Sequence, residues 1–220
     1  MSLFMVGYMT TTTFGVYFFK YVYGDEGMYS VFAGVLGVSQ LAALSVFPLF
    51  SKKFDRRTLY TGAILSITAG YLLFFFAPVN TMLFIGIAGV LIFFGQSFIQ
   101  LMMLMFLADS VDYGHWKLGK RNDSISFSIQ PLINKMGGAV GSGVVAAVVI
   151  VSGIKDADTA ADVSSEGLLL MKIAMLIFPL ICIAVSYFIY RAKFKIDEKY
   201  YAQILSDLRD RGELKKEDIS

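Results

Sequence analysis

A lysine lies in the middle of an otherwise apolar stretch, FSIQPLINKMGGAVGSGVVAAVV, residues 127–149. The amides of Gln130 and Asn134 come shortly before Lys135. If the stretch is a helix that begins near Ser124, Lys135 lies about 16 Å along it, roughly halfway across a ~30 Å hydrocarbon core. The lysine stem is too short to reach water comfortably from that depth. We therefore expect Lys135 to face protein or a water-filled cavity, where its ammonium could bind a ligand.

The same helix has one stripe of polar and small residues at alternating steps of three and four. The stripe comprises Ser124, Ser128, Pro131, Lys135, Gly138 and Ser142. A charge within such a stripe is typical of the wall of a pathway. Gly137 and Gly141 add the spacing of small residues that lets a second helix approach closely.

Other apolar segments also hold polar side chains. Gln96 and Gln100 are one helical turn apart, Gln40 follows Ser39, and a stripe near the start contains Thr10. A single buried amide or hydroxyl is more often a contact between helices than a ligand contact. Together with Asn134 and Lys135, however, these groups could hydrogen-bond a polyhydroxylated solute.

The composition indicates an all-α integral membrane protein. Of the 220 residues, 56% are hydrophobic and 16% are charged, the mean hydropathy is +0.66, and the charges are clustered. Runs of about 20 apolar residues are long enough to span a bilayer as helices. The net charge of +2 comes from short loops and a tail, so we expect no nucleic-acid partner.

Hydropathy predicts six transmembrane helices, over about 3–23, 28–50, 58–77, 81–108, 124–151 and 167–190. We therefore expect a six-helix bundle over 1–190 and a cytoplasmic tail over 191–220. Alternate loops are basic, at Lys52 to Arg57, at Lys117 to Arg121 and after Arg191. By the positive-inside rule both ends of the chain face the cytoplasm.

Two polar segments have open interpretations. Ile196, Tyr200, Ile204 and Leu208 recur every four residues, which predicts either a soluble tail helix or a helix at the membrane surface. His115 lies three residues after Asp112 in a predicted cytoplasmic loop. Because no nucleophile or metal-ligand cluster accompanies this pair, we expect no enzymatic activity, no metal site and no cofactor.

The stretch ADSVDYGHWKLGKRNDSISFSIQPLINKMGG, residues 108–138, resembles the cation-coupled sugar symporters of the glycoside–pentoside–hexuronide family, within the major facilitator superfamily. YFFKYVYGD near the start is similar to that family's seventh helix. The resemblance covers essentially the whole chain, but only as the C-terminal half. It implies helices seven to twelve of a major facilitator fold, a repeat of three plus three inverted helices.

The resemblance also implies roles for individual residues. Lys135 matches the family's helix-eleven lysine, near the sugar and cation sites. Substrate-binding positions are implied for Gln130, Pro131 and Asn134, on the same helix, and for Gln100 on helix ten. A cytoplasmic gate network is implied for Asp109, Asp112 and Arg121, whereas His115 departs from the family's pattern.

The function that the resemblance implies is uptake of a sugar or glycoside coupled to entry of Na⁺ or H⁺, in the plasma (inner) membrane of the cell. The coupling cation's carboxylates lie mainly in the family's N-terminal six helices, which would be the partner of this chain. The alternative hypothesis is a truncated membrane fragment or scaffold that retains the fold and does not transport.

Overall fold

The computed structural model describes residues 1–78, 81–121, 123–157, 159–194, 196 and 198–213. Its secondary structure is helical, with no strand among these residues. The helices are α1 (Ser2–Phe18), α2 (Met28–Lys53), α3 (Arg56–Phe76), α4 (Met82–Leu118), α5 (Asp123–Val151), α6 (Ser165–Lys193) and α7 (Glu198–Asp210). The predicted fold class, an all-α membrane protein, is confirmed.

Within the described part of the chain, five helices, α2 to α6, are long and apolar enough to cross a membrane. The predicted count of six spans is therefore not confirmed by length and composition alone. Helix α1 has only 17 residues. It continues directly into a π-helical segment, Phe19–Tyr23, which ends at Gly24 with φ 88°.

Close helix pairs depend on glycine at the crossing points. Helix α1 packs against α5 and α6, and α4 packs against α3 and α2. A Cβ added to Gly137 of α5 would lie 2.9 Å from Met5 Cβ, and one added to Gly141 would lie 3.0 Å from the Thr10 nitrogen. The small-residue spacing predicted on α5 is thus used to bring it against α1.

Helix α4 continues well beyond its predicted end at 108 and stops only at Gly119, whose φ is 66°. His115 therefore lies on a helix, with a side chain 12% exposed, and its prediction as a solvated loop residue was wrong. The fall in hydropathy near residue 108 marks where α4 leaves the apolar part of the bundle. The helix itself continues because another helix covers its polar turns.

That covering helix is α7, so the helix predicted for the tail is present. Ile204 and Leu208 are completely buried, and Trp116 of α4 donates a hydrogen bond to Asp207 (Nε1 to Oδ2, 2.8 Å). The apolar stripe was recognised correctly. It packs against the last turns of α4, because that surface offers aromatic side chains to a neighbouring amphipathic helix.

Candidate functional site

Helix α5 has two faces with different surroundings. Its buried face consists of Gly137, Gly141, Val145 and Val149. Lys135 lies elsewhere on the helix and is exposed. The other members of its predicted stripe are also exposed or, for Gly138, half-buried: Ser124, Ser128, Pro131, Gly138 and Ser142. The stripe that was predicted to line a pathway therefore faces away from this chain's own core.

Lys135 has no hydrogen bond or ion pair with any residue that the structure describes. An ammonium at this depth of a membrane-spanning helix needs a counter-charge or water. No carboxylate lies within 4 Å of it in the described part of the chain. This exposed stripe of α5, from Ser124 to Ser142, is called the open face below.

A small cleft beside the open face brings three amides together. Gln40 of α2, Gln100 of α4 and Gln130 of α5 line one cavity of about 140 Å³. All three side chains are half-buried. Amides offer both donors and acceptors, so three of them around one cavity can bind hydroxyl groups. This cavity is called the amide cleft.

The structure joins some of the predicted substrate-binding residues and leaves others apart. Gln100 and Gln130 meet in the amide cleft, whereas Pro131, Asn134 and Lys135 are not among its lining residues. Lys135 is about 7.5 Å further along the α5 axis than Gln130. Pro131 and Lys135 lie on the open face, and the half-buried Asn134 belongs to neither region. The role of the predicted set in binding stays a prediction.

Ser97 also lines the amide cleft, one helical turn before Gln100, and was not predicted. Its hydroxyl donates to the Phe93 carbonyl oxygen of the same helix (2.8 Å). In the sequence Ser97 resembles any other serine within an apolar helix, so nothing there indicated its position in the cleft. Gln96, one turn before Gln100, does not line the amide cleft. It is 1% exposed, and neither of its amide atoms has a partner among the described residues.

A charge network occupies the basic end of the bundle. Asp109 is 2% exposed and forms a salt bridge with Arg56 at the start of α3, whose side chain is 18% exposed. The sequence indicated Arg56 only as one of several topology charges. Nothing in its spacing distinguishes it from Arg57, because the pairing depends on where α3 lies against α4.

The other two predicted gate residues are near each other. An Arg121 guanidinium nitrogen lies 3.6 Å from Asp112 Oδ1, and the Arg121 Nε lies 2.9 Å from Asp123 Oδ2. Asp112 also accepts a hydrogen bond from the Tyr201 hydroxyl (2.7 Å). Asp112 and Arg121 therefore meet at the end of the bundle where Asp109 pairs with Arg56.

Helix α7 is part of this network. The Arg56 guanidinium lies over the Tyr201 ring, 4.7 Å from its centroid, and the Arg56 backbone N–H donates to Glu198 (2.6 Å). Burial, and then the hydrogen bond to Asp112, raise the pKa of Tyr201 to about 12. The Tyr201 hydroxyl therefore keeps its proton and acts as the donor.

A further contact between α4 and the tail joins His115 to Glu213, with 3.2 Å between His115 Nε2 and Glu213 Oε2. Arg211 donates to the Trp116 carbonyl oxygen (2.9 Å). The network thus joins the start of α3, the end of α4 and the tail. Its tail members were missed, since side chains this distant in sequence meet only in the folded chain.

Comparison with known proteins gives the family. Residues 1–198 match the model of the MFS/sugar transport protein family. The chain is 34% identical over 193 residues to a raffinose carrier protein of Pediococcus pentosaceus, covering 88% of this chain and 30% of that protein. It is 30% identical over 207 residues to a lactose permease of Leuconostoc lactis, covering 94% of this chain and 32% of that protein.

A third relative is an isoprimeverose transporter of Lactiplantibacillus pentosus, 29% identical over 152 residues, which are 69% of this chain and 32% of that transporter. The chain spans about a third of the length of these curated relatives. It belongs to the MFS/sugar transport protein family, and the resemblance to the glycoside–pentoside–hexuronide symporters is confirmed.

Proposed function

We propose that the chain forms the C-terminal six-helix half of a transporter that takes up a sugar or glycoside together with Na⁺ or H⁺. The observation that carries the proposal is the open face of α5 beside the amide cleft. An apolar bundle presents polar groups here that its own helices leave uncovered. Superfamily transporters bind substrate between two six-helix halves near the bilayer midplane.

The open face needs a partner surface. Lys135 at mid-depth is unfavourable against lipid tails. A second bundle with intramembrane carboxylates would offset the lysine charge and close the cavity. The raffinose, lactose and isoprimeverose relatives support a glycosidic substrate, which the amides of Gln40, Gln100 and Gln130 would bind through its hydroxyl groups.

The charge network supports an alternating-access gate. Asp109, Asp112 and Arg121 lie at one end of α4 and α5, outside the apolar part of the bundle. If the second half meets this end in one conformation, breaking or forming these ion pairs changes the balance between the two conformations. Substrate and cation would then be exposed alternately to the two sides of the membrane.

The orientation is tested by labelling. We propose that the basic end, with Lys120, is cytoplasmic and that the loop containing Asp156 is external. Asp158 and Lys195 contribute to the same charge pattern in the sequence but lie outside the described residues. In the full-length protein with Cys182 replaced by Ala, Asp156→Cys should react with an impermeant thiol reagent outside intact cells. Lys120→Cys should react only after permeabilisation, and the reverse result would contradict this orientation.

The function is tested by uptake. The full-length protein that contains this chain would be reconstituted into vesicles with an imposed Na⁺ or pH gradient and supplied with raffinose, lactose and isoprimeverose. We expect accumulation of at least one of them, driven by one of the two gradients. If correctly inserted protein accumulates none of them under either gradient, the chain is better explained as a non-transporting scaffold.

A further inference from the structure

A second surface of the bundle, separate from the amide cleft, has the properties of a lipid site. Helices α2 and α3 both pack along α4 but scarcely contact each other. A groove remains between them, with a cavity of about 280 Å³. Its lining contains four aromatic side chains, Phe50, Phe54, Phe94 and Phe98.

The aromatic walls of this groove support one another. The Phe94 and Phe98 ring centroids are 4.9 Å apart, and Phe50 stands edge-on to Phe98 at 5.8 Å. Of the two hydroxyl side chains in the lining, Thr58 and Ser66, that of Ser66 donates to the Leu91 carbonyl oxygen (2.9 Å). The interior of the groove is therefore suited to an apolar chain and offers little to a sugar.

A second cavity, of about 320 Å³, shares part of its lining with the groove and also contains two arginines. Thr58 and Gly62 line both cavities, while Arg57 and Arg191 line only the second. A Cβ added to Gly62 would meet nothing within 4 Å, so the glycine leaves open space where the two linings meet. An elongated ligand could thus extend from the arginines into the aromatic groove.

The two arginines that line the second cavity favour an anionic ligand. Arg57 and Arg191 are exposed, and neither has a carboxylate within 4 Å among the residues that the structure describes. Glu198, the acidic residue of α7 on this side, accepts the Arg56 backbone N–H, and Arg56 itself is paired with Asp109. Basic pockets between transmembrane helices bind anionic lipid head groups.

We propose that this composite groove binds one anionic glycerophospholipid, with its phosphate between Arg57 and Arg191 and an acyl chain between α2 and α3. A zwitterionic lipid would fill the aromatic groove equally well but would gain less from the two arginines. A free phosphate would lack the apolar contacts. The site concerns a surface away from the amide cleft, so it does not depend on the proposed transport function.

The test uses the purified full-length protein in mild detergent and native mass spectrometry. It is titrated with dioleoyl phosphatidylglycerol, with dioleoyl phosphatidylethanolamine, which has the same acyl chains, and with inorganic phosphate. Two arginines near an anionic head group should give a preference of about 30-fold for phosphatidylglycerol over phosphatidylethanolamine. Inorganic phosphate alone should show no saturable binding.

Two variants separate the head-group and acyl-chain contributions. Arg57→Gln with Arg191→Gln should remove the preference while leaving weak binding of both lipids. Gly62→Leu should weaken both lipids by filling the space beside Gly62, where an added Cβ meets nothing within 4 Å. The controls are Lys52→Gln, at the same end but outside both linings, and Gly86→Leu, another glycine whose added Cβ meets no neighbour.

The outcomes are decisive in either direction. A lost preference in the double arginine variant, together with weakened binding in Gly62→Leu and unchanged binding in both controls, supports the site. Equal binding of the two lipids by the unaltered protein indicates annular lipid only and overturns the proposal. So does a Gly62→Leu variant that binds phosphatidylglycerol as the unaltered protein does.

Discussion

Two polar regions of this molecule differ in how far the chain itself completes them. In the charge network, Asp109 has Arg56, and Asp112 has both Tyr201 and Arg121. On the open face of α5, Lys135 has no partner among the described residues and is exposed. The aspartates of the network are thus paired, whereas the open face needs a surface that the described part of the chain does not supply.

The difference indicates which kind of measurement each region should affect. Removing a member of a completed network leaves its partner buried without a counter-charge, which lowers stability. Removing a group from an uncompleted face changes what the face can bind, at little cost to the fold of the bundle. The predictions below test that distinction, all in the full-length protein.

The largest effect is expected at Lys135. In Lys135→Val the carboxylates proposed for the partner half lose their counter-charge, so coupled sugar uptake should fall about 100-fold or more. Membrane insertion should be kept or improved, because an apolar residue replaces a charge. Uptake in vesicles under the coupling gradient, relative to inserted protein, gives the measurement.

Two further variants make the Lys135 result specific. Lys135→Arg keeps the charge but changes its shape, so partial activity is expected. Ser142→Val removes only a hydroxyl from the same open face, so uptake should fall far less than in Lys135→Val. Undiminished, equally cation-dependent uptake by Lys135→Val would show that the lysine is merely tolerated.

The next effect concerns stability. Arg56→Gln leaves the buried Asp109 carboxylate without its cation, so the free energy of unfolding in mixed micelles should fall by about 3 kcal/mol. Adding Asp109→Asn to that variant removes the unpaired charge and should recover most of the loss. Lys52→Gln, an exposed cation at the same end of the bundle, is the matched control.

That double variant is the critical one. If Arg56→Gln with Asp109→Asn is no more stable than Arg56→Gln alone, the salt bridge is not what stabilises this end of the bundle. The charge network would then not owe its stability to this ion pair, and it would no longer differ from the open face in that respect.

The amide cleft should show a moderate effect on binding. Gln100→Ala and Gln130→Ala each remove one hydrogen-bonding group from the cleft, so the KM for the transported sugar should rise about tenfold. Stability should change little, because both side chains are only half-buried. Initial uptake rates over a range of sugar concentrations provide KM.

Gln96 is the control for Gln100, one turn away on the same helix. Because its buried amide has no partner among the described residues, Gln96→Leu should leave KM unchanged and raise stability by about 1 kcal/mol. An equal rise in KM for Gln96→Leu and Gln100→Ala would mean that the cleft does not define the binding site.

The smallest effect is expected at Tyr201. Tyr201→Phe removes the hydrogen bond to Asp112 but keeps the ring under Arg56, and Asp112 still has Arg121, so the loss should be about 1 kcal/mol. Tyr113→Phe, whose hydroxyl lies near the exposed Lys117, should change stability by less than about 0.5 kcal/mol. Denaturant unfolding of both variants provides the measurement.

The pH dependence of the Tyr201 contribution follows from its raised pKa. Folding raises this pKa from 10 to about 12, so the contribution is complete below pH 10 and is lost as the pH rises through about 12. The stability difference between the unaltered protein and Tyr201→Phe should therefore stay constant between about pH 6 and 9. A difference that disappears within that range would contradict the assigned donor.

Much of the fold was predictable because the bilayer simplifies the sequence signal. Long apolar runs must be helices when no water is present to bond the backbone, and five of the predicted spans correspond to helices of sufficient length and apolarity. The C-terminal end of α4 and the packing of α7 were not predictable from hydropathy. Both lie outside the apolar region, where contacts between distant segments decide the structure.

The sequence by itself determined the class of protein, the polar stripe around Lys135 and the small-residue spacing of α5, since each depends on local composition and helical periodicity. Only the tertiary structure decided that Gln100 meets Gln130 and Gln40, that Arg56 rather than Arg57 pairs with Asp109, and that Tyr201 bonds Asp112. Those pairings join residues on different helices. Helical periodicity says which face a side chain occupies, but the rotation and crossing of neighbouring helices decide what that face meets.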